Sequence, residues 1–108
     1  MSVLEKEIEK KLRLAVERHG GLCLKWVCPG WSGVPDRIVL LPYGRIAFVE
    51  LKRPEGGKTS RLQKWWARRL LDLGFHYWQL DDEEDLELFD YVELQRRAAW
   101  DGDGEERP

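Results

Sequence analysis

The sequence predicts an α/β domain, a mixed four-stranded sheet flanked by helices in the order αβββαβ, with a further helix after it. Three observations predict this. Apolar residues recur at helical spacing in two separated stretches, through Leu4, Ile8, Leu12, Ala15 and Val16 and again through Leu62, Trp65, Trp66, Leu70 and Leu73. Between them, two unbroken apolar runs, 38–41 and 46–49, flank the tight turn Pro42-Tyr43-Gly44-Arg45 and read as a β-hairpin. The second helical stretch stands between the hairpin's last strand and another apolar run, 75–80. A strand–helix–strand unit of that kind closes as a right-handed crossover joining parallel strands, so one pairing is parallel and the hairpin pairing antiparallel.

Each element has local signals. Ser2 can cap a first helix beginning at Val3, and His19-Gly20-Gly21 ends it. Residues 22–27 read as the first strand, and Pro29-Gly30-Trp31-Ser32-Gly33 as a loop. Residues 36–41 and 45–52 form the hairpin, and 53–59 a basic, glycine-containing loop. Ser60-Arg61-Leu62-Gln63 has the capping-box pattern, with a helix to about Leu73 that Gly74 closes. Residues 75–80 are the fourth strand, and Asp81 or Asp82 caps a last helix through Leu86, Phe89 and Val92.

A chain of 108 residues is long enough for one domain with its own core. The expected domain is 1–100. The end, Asp-Gly-Asp-Gly-Glu-Glu-Arg-Pro over 101–108, is an acidic tail with nothing to bury and is expected to be disordered. No stretch approaches the roughly 20 apolar residues of a membrane span. The first residues carry acids where a signal peptide needs an apolar run. The expected place of action is the cytoplasm of a bacterial or phage-infected host cell. Cys23 and Cys28, five positions apart in one predicted strand, point to opposite faces and cannot bridge each other. They read as free thiols, with no Cys/His spacing for zinc and no organic cofactor implied. The net charge of −2 conceals a basic body and an acidic end, residues 1–80 carrying 15 Lys/Arg against 8 Asp/Glu and residues 81–108 carrying 3 against 12. A basic body suits an anionic partner.

The residues that stand out chemically are Asp36, Glu50 and Lys52. Two carboxylates and an ammonium sit where the pattern says buried strand, which is costly unless they are paired or bind a metal. Alternation puts Glu50 and Lys52 on one face and Leu51 on the other. Pairing of the hairpin strands brings Asp36 beside Glu50. Two oxygen donors with an ammonium beside them would suit a hard divalent cation, Mg²⁺ or Mn²⁺, and the hydrolysis of a phosphodiester.

Pro35-Asp36 followed fourteen residues later by Glu50-Leu51-Lys52, on a hairpin inside αβββαβ, resembles the PD-(D/E)xK nuclease superfamily with its restriction-endonuclease-like core. The finer pattern resembles its VRR-NUC branch, the virus-type replication-repair nucleases. An acidic first helix, Gly20-Gly21, Gly33-Val34-Pro35-Asp36, Val49-Glu50-Leu51-Lys52 and Ser60-Arg61-Leu62-Gln63-Lys64 carry the likeness, which spans roughly 3–90. It implies that Asp36, Glu50 and the Leu51 backbone carbonyl bind the metal and that Lys52 orients the attacking water. It places Gln63 near that lysine, with a first-helix glutamate taking part. Glu5 fits that place best, and Glu9 is the second choice. It further implies a homodimeric DNA endonuclease resembling Holliday-junction resolvases. The alternatives are flap or restriction-type cleavage, or a DNA-binding module without catalysis.

Arg53, Lys58, Arg61, Lys64 and Arg68 follow the site in sequence and are candidate contacts to DNA phosphates. Trp31 could stack on an unpaired base at a branch point or cap the core. Trp65, Trp66 and Trp78 read as core or dimer interface. A dimer is expected to form through the second helix and the acidic segment 81–91, the latter meeting basic residues of the partner. His19 and His76 are isolated and are not candidate bases.

Overall fold

The computed structural model of the chain describes residues 3–52 and 60–92. The Ser2 cap, the basic loop with Arg53 and Lys58, and the tail 101–108 lie outside the described residues. Helix α1 (Val3–Arg18) leads into strand β1 (Leu22–Lys25). Strands β2 (Arg37–Leu41) and β3 (Arg45–Leu51) form the hairpin, helix α2 (Arg61–Asp72) crosses over, and strand β4 (His76–Leu80) follows. Residues 83–92 are helical and form α3. The sheet order is β1-β2-β3-β4. The first two pairings are antiparallel and β3–β4 is parallel. This is the mixed four-stranded sheet flanked by helices that the sequence predicts.

Register explains why the sheet has two unlike faces. Directly opposed residues share a face, and alternate residues along a strand swap faces. Val39, Leu41, Ala47, Val49, Leu51 and Leu80 point to one side. There they meet Ile8, Leu12 and Val16 of α1 and Leu86 and Phe89 of α3 to make the core. Trp78 joins it edge-on against Phe89, ring centroids 5.4 Å apart. The opposite face carries Leu24, Ile38, Phe48 and Tyr77 in one row, with Asp36 and Glu50 beyond it. That face receives α2, which contacts β4.

The hairpin reverses through a turn at Pro42–Gly44 in which Tyr43 (φ 66°) and Gly44 (φ 72°) are both left-handed. The expected capping box of α2 is present, Ser60 Oγ accepting from Gln63 N–H and Ser60 N–H donating to Gln63 Oε1. At α3 the cap is Asp82, whose Oδ1 accepts from Asp85 N–H, while Asp85 returns an oxygen to Asp81 N–H.

Several expectations shift. β1 stops at Lys25, so Cys28 lies beyond the strand, and both cysteines are free. The expected apolar stripe of α2 is largely exposed: Leu70 is its buried residue, while Leu62, Trp65 and Leu73 are open to solvent. The reason is that the core forms on the other side of the sheet, so α2 covers a sheet face without being enclosed by it. The acidic segment α3 finds its basic partners within the chain. Glu83 pairs with Lys11, and Asp90 with Arg18 at 3.3 Å. Asp90 also meets Nε2 of buried His19 at 2.6 Å, so His19 is a link between α1 and α3. No helix of the described residues is long and apolar enough to cross a membrane.

Candidate active site

Asp36, Glu50, Lys52 and Gln63 come together where β2 begins and β3 ends, under the first turn of α2. Each is placed by its element. Asp36 immediately precedes β2, and its backbone carbonyl still pairs with Trp26 N–H at 3.0 Å, so its side chain stays aligned with the sheet. Its Oδ2 accepts from Leu51 N–H at 2.9 Å, which ties the start of β2 to the end of β3. Glu50 is the penultimate residue of β3 and 4% exposed. Lys52 is 8% exposed just past the strand, its backbone N–H donating to Leu80 O.

Gln63 joins the two charged residues. Its Oε1 accepts from Lys52 Nζ at 2.7 Å, and its Nε2 donates to Glu50 Oε1 at 2.9 Å. The same Oε1 accepts from Ser60 N–H, so the capping box that starts α2 also orients this amide. A glutamine offers both an acceptor and donors, which is what a bridge between an ammonium and a carboxylate requires. Glu50 Oε2 is buried and accepts from no donor, and its carboxyl lies close enough to that of Asp36 to share a proton with it. Burial, and secondly the Asp36 carboxylate beside it, push the Glu50 carboxyl up to about 8, with the Lys52 ammonium opposing.

Glu9, the second choice on the first helix, is engaged elsewhere. Glu9 is held by Arg37, Nη2 to Oε1 at 2.6 Å, and Arg37 is buried on the core face. Among the described residues no cluster of three or more His, Cys, Asp or Glu side chains could hold a metal ion. Arg61, Lys64 and Arg68 are exposed on α2, and Arg68 pairs with Asp72 at 3.2 Å.

Two neighbours went unnoticed in the sequence. Register places Tyr77 opposite Phe48 and Gln79 opposite Glu50, on the face of the carboxylates. Burial first, then the charges of Glu50 and Asp36, push the Tyr77 hydroxyl up to about 12. The signal that could have found both is the parallel pairing of 47–51 with 76–80, which alternation alone does not supply.

Beside the site, the loop 30–33 docks on α2. Gly33 has φ +78°, and a Cβ there would stand 2.6 Å from Leu62 Cβ, so the approach requires glycine. Trp66 Nε1 donates to Ser32 O at 2.9 Å.

No protein-family model matches the chain. Over 82 residues it is 44% identical to a protein of Acyrthosiphon pisum secondary endosymbiont phage 1 named "Putative nuclease p44", an alignment that takes in 76% of this chain and 87% of the phage protein. A solved structure described as a VRR_NUC domain superposes with a TM-score of 0.74 at 30% identity, covering 82% of this chain and 97% of that one. Relatedness of that extent in both sequence and backbone makes this chain a member of the VRR-NUC family of nucleases.

Proposed function

We propose that the chain is a divalent-cation-dependent DNA endonuclease that acts on branched DNA, in the manner of a junction resolvase, with Mg²⁺ or Mn²⁺ as its cofactor. The observation that carries the reading is the Gln63 amide clamped between Lys52 Nζ and Glu50 Oε1, beside a Glu50 oxygen that is buried and accepts from no donor. Such an oxygen is expensive to leave as it is. Burial first, and then the Asp36 carboxylate beside it, make Glu50 hold its proton to such a high pH. A hard cation relieves both costs, and all-oxygen donors select Mg²⁺ or Mn²⁺ over zinc.

Asp36, Glu50 and the Leu51 carbonyl would hold the cation, which when bound polarises the scissile phosphate. The chain's own contributions are positional and electrostatic. Leu51 N–H fixes Asp36 Oδ2. Gln63 fixes the Lys52 ammonium, which orients the attacking water and stabilises negative charge as it develops on the phosphate. Arg61 and Lys64, exposed on α2, carry the flanking backbone. The reading gives Glu9 a structural place, as the partner of Arg37, and keeps Glu5 as the first-helix glutamate proposed to take part.

The test is a cleavage panel of duplex, flap, splayed-arm and four-way-junction DNA with Mg²⁺, Mn²⁺ or EDTA. Junction cutting that EDTA abolishes is expected, as is its loss in Asp36→Asn and Lys52→Ala proteins that still fold and bind DNA. Undiminished cutting by Lys52→Ala, or full activity in excess EDTA, would overturn the mechanism. Preference for flaps over junctions would replace the junction reading while leaving the chemistry standing.

A further inference from the structure

The strongest unexplained feature is an aromatic cleft one helical turn from the candidate site. Gly30, Trp31, Ser32, Leu62, Trp65 and Trp66 line a space of about 260 Å³. Trp31 and Trp65 are 60% and 48% exposed, costly positions for the largest side chains. Their ring planes lie 13° from parallel, with centroids 6.4 Å apart. Trp66 stands edge-on to both, at 5.6 Å and 5.2 Å, and closes the floor. Behind it Trp26 and Phe48 continue the aromatic packing into the sheet.

We infer that this cleft takes up an unpaired nucleobase of the DNA strand beside the scissile phosphate. Four features favour a base over other occupants. First, the cleft is built rather than incidental: Gly33 packs against Leu62 and the Trp66 ring N–H holds Ser32 O, so the loop carrying Trp31 is clamped to α2. A cleft held in place in this way binds with a reduced ordering cost. Second, near-parallel aromatic planes offer π-faces, which every base can use regardless of sequence. Third, the cleft adjoins the chemistry along α2. Leu62, Trp65 and Trp66 flank Gln63 on α2, and Gln63 grips Lys52 and Glu50. Fourth, Arg61 and Lys64 are exposed on the same turns and would meet the phosphates on either side of the base. An apolar slot between cations matches a nucleotide, an apolar ring between anions. A branch point or flap supplies unpaired bases and an intact duplex does not, so the cleft would read branched structure. The inference rests on the nuclease reading for the meaning of the slot, though not for the binding itself.

The experiment measures equilibrium binding in EDTA, where no cutting occurs. The probes are a 12-residue oligothymidylate, a fully paired duplex, and the same duplex with a single bulged 2-aminopurine. The wild-type protein should quench the bulged 2-aminopurine. Trp31→Ala and Trp65→Ala should each lower affinity for the oligothymidylate and the bulge at least fivefold, the loss expected when one base is no longer stacked. Affinity for the paired duplex should change less than twofold. Trp31→Phe should restore most of the loss, because a phenyl ring still stacks. Equal losses on all three DNAs, or no loss on any, would overturn the inference. So would unchanged 2-aminopurine quenching in Trp variants that light scattering shows converted from dimer to monomer, since the cleft would then be a subunit interface. The Asp36→Asn protein separates the two readings: its cutting should vanish while its preference for unpaired bases stays. If the wild type cuts no DNA yet keeps the Trp-dependent preference, the nuclease reading fails and the slot stands. If it cuts but the Trp variants bind like wild type, the slot fails alone.

Discussion

A single amide sets the geometry of the candidate site. The Gln63 side chain makes three hydrogen bonds, to Lys52, Glu50 and Ser60, so it couples two charged groups to the start of a helix. Gln63→Ala should therefore reduce the cleavage rate, by an order of magnitude or more, with DNA affinity nearly unchanged. Single-turnover kinetics beside equilibrium binding would show whether the loss is in the rate. Gln63→Glu should be worse than Gln63→Ala, because a third carboxylate would face Glu50. A second expectation concerns pH. The Glu50 carboxyl is raised from its ordinary 4.5 to about 8 in the folded protein. Between those values the native state binds more protons than the unfolded chain, so stability falls as pH rises across that window. Thermal unfolding in EDTA should show Tm declining from about pH 5 to 8, and Glu50→Gln should flatten the decline. Mg²⁺ should raise Tm most at the alkaline end, where the ionised carboxylate is available to it. A Tm in EDTA that climbs through this window would refute the raised carboxyl.

At the scale of elements, the hairpin and the caps of α2 and α3 are legible in the sequence because their signals are local. The runs 38–41 and 46–49 could pair only through the Pro42–Gly44 turn, and that pairing brought Asp36 to Glu50 with no further assumption. The Ser60–Gln63 box was equally readable, and with it the position of Gln63. What escaped depended on which sheet face each helix covers. α1 packs on the core side with Val39 and Val49, and the carboxylates stand on the other. Glu9 therefore meets Arg37, a residue whose neighbour Asp36 drew the attention in sequence. Glu9→Gln should leave the cleavage rate within a few fold and instead destabilise the fold by about 1–3 kcal/mol, since Arg37 would keep a buried charge with a weakened partner. A urea melt beside a cleavage assay separates these outcomes, and a large loss of rate at full stability would restore Glu9 as a site residue. The α2 stripe misled for a related reason. Helical periodicity reports which residues share a face, and not whether that face is enclosed. Gly33→Ala tests how firmly loop and helix are joined. A Cβ at φ +78° and 2.6 Å from Leu62 would strain the loop and shift the turn that carries Gln63. It should cost about 2 kcal/mol in stability and slow cleavage as well.

For the whole molecule, the two sheet faces bear on assembly. The core side is closed by α1 and α3, and α3 spends charges of its acidic run on Lys11, Arg18 and His19 of the same chain. That argues against α3 as the surface that greets a partner's basic residues. On the other side, α2 leaves part of the sheet open. Leu22 and Leu24 of edge strand β1 are 57% and 45% exposed, and they share that face with half-buried Ile38, Leu40 and Ile46. Val27, just past the strand, is open as well. Apolar residues exposed on one face of an edge strand suit an interaction surface. A two-fold axis through it would bury the same residues from both copies and set two active sites at a fixed spacing, as paired nicks on opposing strands of a junction require. We propose that the homodimer expected from the sequence meets through the β1–β2 face, not through α2, whose tryptophans the inference above gives to the DNA. A Leu22→Glu, Leu24→Glu double variant should be a folded monomer by light scattering at micromolar concentration. It should retain cutting of single strands at flaps and lose the coupling of the two nicks on a junction. A double variant that remains dimeric with coupled nicks would exclude this face. A wild-type monomer that cuts both junction strands at independent rates would remove the dimer altogether and favour cleavage of flaps by one subunit.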